Sequence, residues 1–240
     1  MKTFCIILFL VFSLISTGQK KNSSIEYCLI IGDDISMKEP IIAEYYKSAQ
    51  NGAKNLTYVL AFDSTKMKFE LKQTMNIDDV NLDFAKAFSG CSGAYYYSKG
   101  APYFYNKPKN NEFTKSMIKY KSFNDWQLTS ETKLIGGFIC YKATGYQTVK
   151  NIKGLFKNLV VAWYCPKIPV PFGPIGYGNL PGVILELQIK EVVYGAIKIS
   201  LGSYGIYKLD FSSKEIIISE EELNARIKTR HEDLIRNKEK

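Results

Sequence analysis

Short runs in which apolar and polar residues alternate recur along this chain, and a period of two is the signature of strands with one buried face. Ile25 to Ile31 is an apolar run closed by Gly32-Asp33-Asp34, so it reads as a strand followed by a turn. Leu56, Tyr58, Leu60 and Phe62 fall on one face of a second strand, and Met67, Phe69 and Leu71 alternate with charged residues in a third. Asp63 to Lys66 between them makes the two a hairpin. Ala94 to Ser98 and Pro102 to Asn106 flank Lys99-Gly100 and predict a tyrosine-rich hairpin whose rings pair across the ladder. A platform for sugar rings or peptide is the sharper and less favoured reading of those tyrosines. Leu134 to Ala143 carries apolar residues on both faces, as a central strand does, and Gly136-Gly137 within it predicts a bulge, a sharp bend or the close approach of another backbone. Leu159 to Tyr164 is a further strand. Val183 to Lys190, Val192 to Leu201, Tyr204 to Phe211 and Ile216 to Ile218 follow, and the turn signals between the later ones read as a meander.

Two stretches have helical spacing instead. Ile77, Val80, Phe84 and Phe88 recur at helical intervals, with Asn76 placed to cap and Gly90 to terminate. Near the C-terminus Ser219 and Glu222 form a capping box ahead of a narrow stripe of Leu223, Ile227 and Leu234, and Glu222–Arg226 and Glu232–Arg236 are i,i+4 pairs. The sum is a mainly β chain: a curved antiparallel sheet or half-barrel of about ten strands, with a short mid-chain helix and a C-terminal helix over about residues 219–238.

Between Ala162 and Leu187 the alternation breaks. This run holds five of the eight prolines, Pro166, Pro169, Pro171, Pro174 and Pro181, with Gly173, Gly176, Gly178 and Gly182 among them. Proline lacks an N–H and fixes φ, while glycine admits positive φ, so the run is neither helix nor central strand. It predicts a stiff crossover faced by Trp163, Tyr164, Phe172 and Tyr177, which then feeds the strand at Val183. The six residues Asn179, Leu180, Pro181, Gly182, Val183 and Ile184 resemble the signature of the GLPGLI family of bacterial exported proteins. Trp126 and the run from Lys133 to Ala143 match a second landmark of that family. Asn179 stands where the family motif has glycine and Val183 where it has leucine. Asn tolerates positive φ and Val keeps the strand apolar, so the geometry is expected to survive. The resemblance implies export and brings no biochemical activity with it.

Residues 1–18 read as a secretory signal: Lys2, then an apolar core from Phe4 to Ile15, then Ser16-Thr17-Gly18, with cleavage before Gln19. That leaves residues 19–240 as a single β-rich domain, exported to the periplasm, the outer membrane or the medium and not membrane-spanning after cleavage. The net charge of +9 raises the question of nucleic acid, but the only arginines are Arg226, Arg230 and Arg236. The body therefore lacks the bidentate fork suited to phosphate and guanine, and no nucleic-acid partner is expected. Outside the signal stand Cys28, Cys91, Cys140 and Cys165. Cys140 and Cys165 lie in the two blocks that carry the family resemblance, which makes them the first candidates for a disulfide, with free buried thiols as the alternative.

Candidate chemistry is sparse. One histidine, His231, and no ordered Cys spacing leave no metal site, no cofactor and no His-based nucleophile to expect. Asp33-Asp34 and Asp78-Asp79 sit in turn or helix-start contexts that capping explains. Glu186 lies on the less apolar face of its strand: lining a cavity it could act as an acid, whereas beside a lysine it is a solvated ion pair. No catalytic residue is assigned. The expected function is a non-enzymatic binding or accessory module of the cell envelope, holding an apolar ligand or a segment of an envelope protein beside the proline crossover. Trp163, Tyr164, Phe172, Tyr177 and Glu186 would form the contact surface. A carboxylate-dependent hydrolase and a structural envelope component are the alternatives.

Overall fold

A computed structural model describes residues 22–72, 80–91, 93–109, 116–151, 154–203 and 207–238. The expected signal segment, the Asn76 cap and Asp78-Asp79 lie outside the described residues. Among the described residues twelve strands form one mixed sheet, where about ten antiparallel strands were expected. They are β1 (Asn22–Ile31), β2 (Thr57–Phe62), β3 (Lys66–Leu71), β4 (Gly93–Ser98), β5 (Tyr103–Pro108) and β6 (Met117–Lys121), then β7 (Gln127–Ile135), β8 (Phe138–Asn151), β9 (Gly154–Cys165), β10 (Val183–Ile189), β11 (Val192–Ser203) and β12 (Ile217–Ser219). Three α-helices among the described residues accompany them: α1 (Pro40–Ala53), α2 (Val80–Ser89) and α3 (Glu220–Lys238). Among the described residues no helix is long and apolar enough to cross a membrane.

The strand order is β12-β6-β5-β4-β3-β2-β1-β11-β10-β9-β8-β7. Two meanders therefore share a central β1, and the strands consecutive in sequence at the join, β6 and β7, stand near opposite edges. Laid flat, the ten strand spacings between β6 and β7 would measure roughly 48 Å. The connection, Ser122 to Trp126, spans at most about 20 Å even when extended. The sheet must curl, and the connection crosses its concave side. There Gly145 of β8 makes room, since a Cβ at that position would sit 2.5 Å from the Asp125 carbonyl oxygen and 2.7 Å from the Phe123 ring.

The concave face is the core. Ile25, Tyr27, Tyr58, Leu60, Phe69 and Tyr194 are at most 1% exposed, and the rings of Tyr58 and Phe69 stack with centroids 5.7 Å apart. Buried hydroxyls need partners. Tyr27 donates to the Ile184 carbonyl at 2.6 Å and Tyr194 to the Ser89 carbonyl at 2.7 Å. Two helices cover one end of this face. Pro40 opens α1, where its missing N–H costs nothing, and Tyr46, Ala49 and Ala53 form its buried stripe. Gly52 lets α2 approach, because a Cβ there would meet the Asn81 carbonyl oxygen at 2.0 Å. The mid-chain helix exists, but its buried residues are Leu82, Ala85 and Ser89. Val80 is exposed and Phe84 and Phe88 pack sideways against Tyr45 and Tyr46 of α1.

Four sequence expectations are corrected. Leu134 to Ala143 is no central strand: Gly136 and Gly137 both have positive φ and turn β7 into β8 as a two-residue hairpin. β7 is consequently the edge of the sheet, and its Leu134 is 69% exposed. Tyr204 to Phe211 is not a strand over its described part, 207–211. Instead that segment crosses the convex face, where Phe211 packs on Tyr96 and Tyr105, and Lys66–Asp210 and Lys107–Glu215 ion pairs pin it. It delivers β12 to the far edge, parallel to β6, rather than to the end of a meander. α3 begins as predicted, with the Ser219 hydroxyl accepting from the Glu222 N–H and a Glu222–Arg226 pair. Further along, Arg236 meets Asp233 rather than Glu232.

The proline crossover is ordered by packing. Phe172 is fully buried between Phe62 and Tyr97, and the Val183 and Ile184 amides donate back to Ile168 and Phe172 carbonyls. Gly182 lies so close to the Cys165 backbone that a Cβ would stand 2.1 Å from its carbonyl oxygen. Asn179 has φ 62, which explains why glycine suits the position. Its side chain does more than glycine could: the carboxamide accepts from the Tyr97 hydroxyl and donates to the Phe123 carbonyl and the Asn124 side chain. Trp126 secures the next peptide by donating to the Gly178 carbonyl at 2.8 Å.

Asn179→Gly keeps the backbone conformation and loses these bonds, so it should cost about 1–2 kcal/mol. Asn179→Ala loses both and should cost about 1 kcal/mol more; urea unfolding of the two variants checks the order. Burial also raises the Tyr27 and Tyr194 hydroxyls and pushes the Cys140 thiol from 9.0 up to about 12. The folded chain then holds these protons after the unfolded chain has released them. Stability is whole below their ordinary values and should fall as pH rises above 9 towards 12, which equilibrium unfolding of the reduced protein across that range measures.

Candidate functional site

The five side chains singled out in the sequence do not meet at one place. Glu186 and Trp163 are register partners on the convex face. Both Glu186 carboxylate oxygens accept from the Lys133 ammonium, at 2.7 and 2.8 Å. The Trp163 ring lies under the Lys133 and Lys142 ammonium groups, whose nitrogens are 5.5 and 6.0 Å from its centroid. Glu131 closes the strip by pairing with Lys142 at 2.9 Å. Glu186 is thus a surface ion pair, and it does not line the large cavity described below. Tyr164 and Phe172 are buried in the core cluster. Only Tyr177 reaches that cavity.

Cys140 and Cys165 are brought together across the β8–β9 pair, one position beyond the Tyr141–Tyr164 partners. Both are fully buried and both are free thiols, as are Cys28 and Cys91. Burial, then the neighbouring Cys165, pushes the Cys140 thiol up.

The cavity that does form, about 800 Å³, lies in the concavity between the proline crossover, the C-terminal end of α2 and the Ser122–Asp125 part of the edge-to-edge connection. One wall is a cross-strand aromatic ladder. Phe104 of β5 is the register partner of Tyr120 of β6, their rings stack 5.3 Å apart at 16°, and Tyr95 of β4 lies 6.1 Å from Phe104. The facing wall is the short 3-10 turn Pro174–Gly176, and Gly176 is seated on the Phe104 ring, leaving no room for a Cβ. Ile175 in that turn has φ 43, a costly conformation for a β-branched residue, and it lines the cavity. Tyr177 packs on Phe123 and Trp126, and among the described residues its buried hydroxyl has no hydrogen-bond partner.

The floor includes Ser89 and Gly90, whose carbonyls accept from the Tyr194 and Tyr95 hydroxyls. Thr148 and Gln147 from β8, Asn124, Asp125 and Glu220 put polar groups around the rim. Among the described residues no group of three or more His, Cys, Asp or Glu side chains is placed to hold a metal ion. The alternation of Tyr95, Tyr97 and Phe104 in the sequence was the available signal for the ladder. Tyr120 and Phe123 gave none, because their place depends on strands and loops distant in sequence.

The comparisons with known proteins agree with this architecture and stop short of a function. A family model described as "Protein of unknown function (Porph_ging)" matches residues 153–186, a stretch that includes β9, the proline crossover and β10 as far as Glu186. No curated protein matches the chain. Among solved structures, PNGF-II in its C2 crystal form is similar with a TM-score of 0.50 and 16% identity, covering 86% of this chain and 32% of that one. The P21 form gives 0.50 and 15%, covering 85% and 33%. The chain therefore spans about a third of PNGF-II, and at this identity what the two share is the β fold.

Proposed function

We propose that this chain is an exported, non-enzymatic binding protein of the cell envelope, which holds an apolar ligand or a segment of a partner in the cavity beside the proline crossover. The observation that carries the reading is the cavity itself: an aromatic wall faced by a proline-stiffened loop that hydrogen bonds and buried rings already hold in place. A preordered loop loses little entropy on binding, and a volume of about 800 Å³ falls in the range of small-molecule sites. The strained Ile175 at the wall is further support, since backbone strain gathers at sites of function. The hydrolase reading has no such support: Glu186, its best carboxylate, is neutralised by Lys133 on the opposite face. The GLPGLI resemblance belongs to this proposal, as does export to the periplasm or beyond. It is carried by the Asn179–Ile184 run, which lies within the segment that the family model covers.

The apolar dye 1-anilinonaphthalene-8-sulfonate should bind the folded chain saturably. Ile175→Asp puts a charge into the cavity in a conformation that Asp tolerates better than Ile, and should weaken the dye about tenfold or more. Absent or non-saturable binding would remove the reading. In an oxidising compartment Cys140 and Cys165 are further proposed to form a disulfide, by exchange with a disulfide donor that takes up both protons and both electrons. Alkylation of the denatured, unreduced protein should then label Cys28 and Cys91 and spare the other two.

A further inference from the structure

The lining of the cavity is specific about shape as well as polarity. Among the described residues that line it, eight are aromatic, while Ile175, Ile189 and Val192 are the branched aliphatic ones. A site for an acyl chain is lined by flexible aliphatic groups that wrap a cylinder, whereas rings present flat faces and prefer flat partners. The ladder Tyr95–Phe104–Tyr120 is also unfinished. β12 pairs with β6 only as far as Ser219 opposite Lys119, so no strand residue stands beyond Tyr120 in the direction in which the ladder runs. Tyr120 is the last ring of the stack, half-buried, and it lines the cavity. Beyond it stand Glu220 and the Asn124-Asp125 corner, and burial, then the Glu220 carboxylate, raises the Tyr120 hydroxyl. Gln147, two residues from Gly145 and so on the same face of β8, lines the cavity. A flat surface with hydrogen-bonding groups at its margin is suited to a ring with an apolar face and a polar edge.

Building on the binding reading above, we infer that the ligand is ring-bearing: a flat ring extends the stack at Tyr120 and its polar edge meets Asn124, Asp125 and Gln147. An aromatic ring and a pyranose share this chemistry, and the test separates the two.

Three probes are titrated into the full chain by calorimetry: 2-naphthol for an aromatic ring, maltotriose for a pyranose and 1-decanol for an acyl chain. At least one ring probe should bind about tenfold or more tightly than 1-decanol. Tyr120→Leu removes the ring and keeps an apolar side chain. It should weaken the ring probe by about tenfold and leave 1-decanol unchanged, while Tyr120→Phe restores ring binding. Whichever ring probe responds identifies the source. If 1-decanol binds tightest, or if Tyr120→Leu weakens every probe alike or none, the ring inference is overturned and the apolar-cavity reading survives. If no probe binds, including 1-anilinonaphthalene-8-sulfonate, both are overturned. Circular dichroism of the two variants distinguishes lost stacking from lost folding.

Discussion

Everything in this molecule follows from the shortness of one connection. The sheet has twelve described strands, yet Ser122 to Trp126 joins β6 near one edge to β7 at the other. A flat sheet of that width cannot be bridged by so few residues, and the right-handed twist of strands supplies the sense in which it closes up. Curling creates a concave face, and a concave face of this size must be filled. α1 and α2 fill one end and the proline crossover another. The space left between them, with the connection itself as a wall, is the cavity.

The crossover is what turns a gap into a site. Proline and glycine remove most of its conformational freedom before folding, so the ordering cost falls on few residues. Tertiary contacts then settle its course: Phe172 enters the core, Gly182 passes against the Cys165 backbone, and Gly176 rests on Phe104. Asn179 is the tie between the crossover and the edge-to-edge connection. It bonds Tyr97 on the sheet and Phe123 and Asn124 on the connection from a left-handed backbone position. The same short run that shapes the loop therefore also closes the sheet, which gives a physical reason for its distinctive composition.

Charge plays a smaller part. Its visible clusters, Glu131, Lys133, Lys142 and Glu186 around Trp163 and the pins of the 207–216 segment, lie on the convex face in or near solvent. Exposed pairs of this kind contribute about 0–1 kcal/mol each. Their value here is in register and solubility: the charges beside Leu128 and Leu134 discourage the open edge at β7 from pairing with another chain.

What could be read from residues alone was whatever depends on near neighbours. Alternation located β1, the β2–β3 hairpin, the tyrosine hairpin, β10 and β11, because burial of one face imposes a period of two wherever the strand lies. Ser219 and Glu222 announced α3 because capping is local, and the density of Pro and Gly announced the crossover. Gly136-Gly137 shows where such reading stops: two glycines permit a bulge or a turn equally, and β8 had to fold back before the choice was made. α1 escaped notice because its buried face, Tyr46, Ala49 and Ala53, is mostly small residues that matter only with α2 pressed against them. The sequence by itself determined a β-rich chain with a rigid aromatic crossover and no histidine cluster or ordered cysteine spacing on which to build a metal centre. Only the tertiary structure decided that Glu186 and Trp163 face outward and that Tyr95, Phe104, Tyr120 and Tyr177 line one cavity. The side on which a residue ends depends on register and curl, which are properties of pairs of distant strands.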